Sequence, residues 1–144
     1  MSGEQLDNEA TILIADDFDE WRLQVRKMLH KHPEWEVVGE ACDGRHAVEK
    51  ACQLQPHVAI LDISMPGLNG IEAARLIRQR CPLTRIVFLT QQADEEVIEA
   101  ARAAGGSGYV LKTNSASDLT RAIAAALQSA PAAPFLMGLL GSFR

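Results

Sequence analysis

Five polar side chains stand at the ends of short apolar runs: Asp16 and Asp17 after Thr11–Ala15, Asp62 after Val58–Leu61, Thr90 after Arg85–Leu89, and Lys112 after Gly108–Leu111. Bringing three carboxylates together is costly unless cations compensate, because like charges raise one another's proton affinity. Hard oxygen donors without His or Cys suit Mg²⁺, whose shell is usually completed by water and phosphate oxygens. Phosphoryl transfer to a carboxylate needs a nucleophile in line, a metal on the transferred oxygens, and a further cation or donor for the developing charge. Asp62, Mg²⁺, Lys112 and Thr90 supply those parts. Taken singly, each residue has a plainer account, the Asp pair as a helix cap and Lys112 as a solvated charge. Taken together they do not, since unrelated surface residues have no reason to fall at successive strand ends.

The elements that must position them follow from the apolar pattern. Strands are expected at Thr11–Ala15, Glu36–Gly39, Val58–Leu61, Arg85–Leu89 and Gly108–Leu111, and helices at Phe18–Lys31, His46–Leu54, Ile71–Arg80, Glu95–Ala104 and Ala116–Gln128. ILIA and VAILD are apolar on both faces, as in parallel strands covered above and below by helices. Regular alternation implies right-handed crossovers and a doubly wound α/β sheet, whose ligands bind at the carboxyl ends of the strands. Pro66 fixes a turn in Met65–Gly70, and its glycines permit the backbone angles of a tight loop beside Asp62. Gly105, Gly106 and Gly108 end the fourth helix, and Asn114 or Ser115 should cap the fifth.

The four blocks, Asp16-Asp17, Asp62-Ile-Ser-Met-Pro-Gly-Leu-Asn-Gly, Phe88-Leu-Thr and Gly108-Tyr-Val-Leu-Lys, occur in an order and spacing that resembles the response-regulator receiver family of two-component signalling. The resemblance covers about residues 10 to 129, and is strongest to receivers joined to LuxR-type transcription factors. It implies a flavodoxin-like (βα)5 fold with a five-stranded parallel sheet in the order 2-1-3-4-5. It also implies that Asp62 is the phosphoacceptor and that Mg²⁺ is held by Asp17 and Asp62 directly, by Asp16 mainly through water, and by the backbone carbonyl of Ser64. Lys112 would pair with Asp62 and then with the phosphoryl oxygens, and Thr90 would hydrogen-bond the phosphoryl group. Tyr109 matches the aromatic switch position and would turn into space vacated by Thr90; its plainer account is an amphipathic ring at a sheet edge with its hydroxyl in water. The implied partners are a sensor histidine kinase or phosphotransfer protein, and a homodimer through the fourth helix, fifth strand and fifth helix. Many receivers have Pro after the strand-five Lys, in a cis bond; here Thr113 follows, and a trans bond is expected.

Composition bounds the rest. At 144 residues, 47% hydrophobic and 23% charged, the chain suits one globular domain. A net charge of −5 with no basic stripe argues against direct nucleic-acid binding. The N-terminus lacks a signal-peptide pattern and no apolar run has membrane-spanning length, so a cytoplasmic location is expected. Three cysteines without CxxC spacing suggest neither zinc nor a disulfide framework. The expected domains are a polar extension at 1–10, the receiver at 11–129, and an Ala/Pro linker with an apolar tail at 130–144. Two other readings stand: a pseudo-receiver used for protein contacts alone, and a phosphoaspartate-family phosphatase, which would need an acidic DxD motif where Asp62-Ile-Ser stands.

Overall fold

The structure, a computed structural model, describes residues 9–129 and the pair 136–137. Five strands, β1 (Ala10–Ala15), β2 (Trp35–Ala41), β3 (Val58–Leu61), β4 (Arg85–Thr90) and β5 (Gly108–Leu111), alternate with helices α1 (Asp19–His30), α2 (Gly44–Leu54), α3 (Gly70–Arg80), α4 (Glu95–Ala103) and α5 (Ser115–Leu127). All pair in parallel in the order β2-β1-β3-β4-β5, the order that the resemblance implies.

Period-two alternation sends neighbouring strand residues to opposite faces, and both faces are apolar. Ile12 and Ile14 pack with Val25 and Leu29 of α1 and Leu119 and Ile123 of α5. Leu13 and Ala15 face the other side, with Ala47 and Ala51 of α2, Ala73 and Ile77 of α3, and Ala101 of α4. The sheet is thus buried on both sides, and chemistry is left to its ends.

The bounds of β3 and β5 coincide with expectation, while β2 is longer because its pairing with β1 continues to Ala41 opposite Ala15. The fifth helix departs from expectation. A 3-10 turn, Lys112–Asn114, leads into α5, and Asn114 makes no side-chain cap bond. The Ser115 N–H instead donates to the Lys112 carbonyl, so the turn satisfies the group a cap would serve.

Residues 1–8 of the expected extension at 1–10 and most of the segment at 130–144 lie outside the described residues. Leu136–Met137 is a short strand, β6, that pairs in parallel with β5, Leu136 opposite Gly108 and Met137 opposite Tyr109. That pair falls within the segment expected as an Ala/Pro linker with an apolar tail. Among the described residues no helix is long and apolar enough to cross a membrane.

Candidate functional site

The strand ladders run one residue past β1 and β3 and aim the acidic residues. The Asp16 N–H donates to the Ala41 carbonyl at 3.0 Å and the Asp62 N–H to the Ala15 carbonyl at 2.9 Å. The chain then turns at Asp16, whose Oδ1 accepts from the Phe18 N–H at 2.9 Å. Arg22 braces this turn from α1, donating to the Asp16 carbonyl at 2.7 Å and pairing with Glu40 at 2.9 Å. Asp16 and Asp17 therefore do not cap α1; Phe18 holds that position without a side-chain bond.

Asp16, Asp17 and Asp62 each offer a carboxylate oxygen within 4.8 Å of the others. Lys112, only 5% exposed, places Nζ 2.8 Å from Asp16 Oδ2 and 3.3 Å from Asp62 Oδ2. It is a buried counter-ion, not the solvated charge of its plainer account. Burial pushes the Asp62 carboxyl above its ordinary value; Lys112 pulls it down, Asp16 adds to the rise, and the Thr90 hydroxyl bond lowers it. Lys112 thus pairs with two of the three carboxylates, and Asp17 Oδ1 is buried without a hydrogen-bond partner among the described residues. An orphaned oxygen beside two more carboxylates fits a hard divalent cation with oxygen ligands.

Thr90 is fully buried at the end of β4, and its Oγ1 accepts a long bond from the Gln92 N–H at 3.4 Å. Ser64, two residues beyond Asp62, is exposed, and its hydroxyl accepts from Gln92 Nε2 at 2.6 Å. Tyr109 departs from its plainer account as a ring at a sheet edge with its hydroxyl in water. Its ring is fully buried against Phe88, and its hydroxyl donates to the Gln92 carbonyl at 2.7 Å rather than to water. The Lys112–Thr113 bond is trans, as no cis peptide occurs among the described residues.

Two neighbours of the site escape a reading of sequence alone. Trp21 of α1 lies under the ammonium, with Lys112 Nζ 4.8 Å from its ring centroid, an aromatic that helical spacing would assign to the core. Gln92 joins Thr90, Ser64 and Tyr109 through its backbone and side chain, and no motif marks it.

The model of the response regulator receiver domain family matches residues 12–124. The chain belongs to that family. It is 38% identical to the transcriptional regulatory protein DegU of Brevibacillus brevis over 81% of this chain and 50% of that protein. It is 37% identical to the nitrate/nitrite response regulator protein NarL of Escherichia coli over 79% and 53%. The receiver spans about half the length of these curated relatives. A two-component response regulator of the LuxR family from Aurantimonas sp. superposes with a TM-score of 0.84 at 32% identity, covering 91% of each chain. The isolated REC domain of RcsB from Salmonella enterica, solved with the phosphomimetic BeF3⁻, gives 0.80 at 30% identity, covering 90% and 94%. DegU is a transcriptional regulatory protein and the Aurantimonas protein belongs to the LuxR family, in line with the LuxR-type resemblance.

Proposed function

We propose that this receiver accepts a phosphoryl group on Asp62 from a histidine kinase or phosphotransfer protein and relays its arrival through Thr90, Gln92 and Tyr109. The observation that carries the reading is the buried Lys112 ammonium held between Asp16 and Asp62 beside the unpartnered Asp17 oxygen. In the transfer, a carboxylate oxygen of Asp62 forms the new bond to phosphorus as the P–N bond to the donor imidazole breaks. Lys112 neutralises charge on the phosphoryl oxygens, and the Thr90 hydroxyl donates to one of them. Asp16, Asp17, Asp62 and the Ser64 carbonyl would hold Mg²⁺, which when bound supplies positive charge at the transferred oxygens.

Phosphorylation would act on the arrangement in which buried Tyr109 donates its hydroxyl to the Gln92 carbonyl. A ligand shifts a conformational equilibrium only through contacts that differ between states. Thr90 supplies the contact, Gln92 two residues on carries it, and Tyr109 holds the Gln92 carbonyl. The output surface is the face of α4, β5 and α5, where a partner or second copy would dock. The chain's own catalysis is limited to its phosphorylation and dephosphorylation.

The test is Mg²⁺-dependent labelling with a small-molecule phosphodonor, read by mass spectrometry. Modification at Asp62, lost in Asp62→Asn, is the expected result. A stable modification on Asp16 or Asp17 in the intact protein would refute the assignment, and no labelling at all would favour a pseudo-receiver.

A further inference from the structure

At the opposite end of the sheet from Asp62, two thiols that the sequence leaves 29 residues apart meet: Cys52 Sγ and Cys81 Sγ lie 3.7 Å from one another. Cys52 is in the last turn of α2, and Cys81 is the C-cap of α3. We propose that Cys52 and Cys81 are a dithiol pair that hydrogen peroxide converts reversibly to an intramolecular disulfide, closing a loop that contains β3, Asp62 and α3. The cysteine spacing gave no hint of this, because only the packing of α2 on α3 creates the pair.

The two sulfurs differ in a way that assigns their roles. Cys52 is partly exposed and Cys81 is 1% exposed, so an oxidant from solvent reaches Cys52 first. Burial pushes the Cys81 thiol up to about 11, with Cys52 itself adding to the rise, so Cys81 stays protonated and is a poor first nucleophile. The Cys52 thiolate attacks one peroxide oxygen, the O–O bond breaks, and hydroxide leaves with the other oxygen, giving a Cys52 sulfenic acid. Cys81 sulfur then attacks the Cys52 sulfur; the S–S bond forms, the S–OH bond breaks, and the Cys81 proton leaves with that hydroxyl as water. Two thiols are oxidised and one peroxide is reduced to two waters.

Gln55 is placed to assist the second step. It closes α2 in the left-handed conformation, φ 49°, and its Nε2 donates to the Cys52 carbonyl at 3.1 Å while lying 4.0 Å from Cys81 Sγ. That amide is the nearby donor for charge developing on the buried sulfur. Bond formation requires the sulfurs to approach by about 1.7 Å. A disulfide of this kind in a reducing compartment is transient, and small thiols reverse it by exchange.

The experiment uses the whole chain carrying Cys42→Ser, which removes the exposed third thiol. After peroxide, free thiols are blocked with N-ethylmaleimide in denaturant and the intact mass is read. The expected result is a loss of about 2 Da, no adduct on Cys52 or Cys81, one peptide linking them, and two adducts again after dithiothreitol. Closing a loop of this length should also raise the melting temperature by about 5–10 °C. Two adducts after peroxide, or sulfinic acid at Cys52 without the linked peptide, would overturn the proposal. The roles are tested with Cys81→Ala, where dimedone should trap a sulfenic acid at Cys52; trapping at Cys81 in Cys52→Ala would reverse them. If the buried Cys81→Ala variant fails to fold, the intact mass of the two-cysteine chain still decides whether the pair closes.

Discussion

At Asp62 burial raises the carboxyl, Lys112 lowers it and Asp16 adds to the rise. Lys112 keeps its 2.8 Å partner Asp16 whether or not Asp62 is charged, so neutralising Asp62 removes repulsion and burial cost while leaving the ammonium paired. Asp62→Asn should therefore stabilise the metal-free protein by about 1 kcal/mol, seen as a higher melting temperature. Added Mg²⁺ should stabilise the wild type more than this variant. Thr90→Ala should still accept a phosphoryl group, because Asp62 and Lys112 are intact, but should lose the response. Amide NMR shifts on α4, β5 and α5 with beryllofluoride and Mg²⁺ would be small in the variant and large in the wild type; equal shifts would sink the relay. Asp62 and Lys112 were legible in the sequence because strand ends in a doubly wound sheet have a known direction. Tyr109 was legible as a position and not as a conformation, since its burial depends on Phe88 and the Gln92 carbonyl, which only the fold brings together.

At the scale of elements, the loop after β3 is set by glycines for two different reasons. Gly67 has φ 72°, the left-handed turn geometry that the sequence implies. Gly70, at the start of α3, is needed for space: a Cβ there would stand 2.0 Å from the Asp62 carbonyl oxygen and 2.8 Å from its carbon. These are backbone atoms and cannot swing aside. Gly70→Ala should cost about 2–4 kcal/mol by urea unfolding, since helix and acceptor strand must part. Glycine as spacer is invisible to a reading that treats it as a turn residue. The same is true of β2, where the sequence marks apolar residues at the centre and only the pairing with β1 extends the strand to Ala41.

For the whole molecule, charge and burial give two outcomes. A net charge of −5 without a basic face means these 144 residues should show no sequence-specific DNA binding at physiological salt; fluorescence anisotropy with duplex DNA checks this, and tight specific binding would overturn it. Tyr109 is the single tyrosine, and burial pushes its hydroxyl up to about 12, with the charges of Asp94 and Asp62 adding to the rise. The folded value is raised, so the neutral phenol favours the folded state. That contribution is complete below the unfolded value of about 10 and is lost as pH rises through the folded value. Tyrosinate absorbance should appear late and together with unfolding, and an early, reversible rise in a folded protein would show the ring to be open to solvent.

The pairing of Leu136–Met137 with Gly108–Tyr109 limits what can add to this edge of the sheet. An open sheet edge is a row of unmatched backbone donors and acceptors that templates strand addition from another chain. At β5 two of its four residues are already matched by the chain's own backbone. Another strand could zip onto those positions only by peeling β6 away. At those two positions the edge no longer offers the free backbone that lateral growth by strand addition needs.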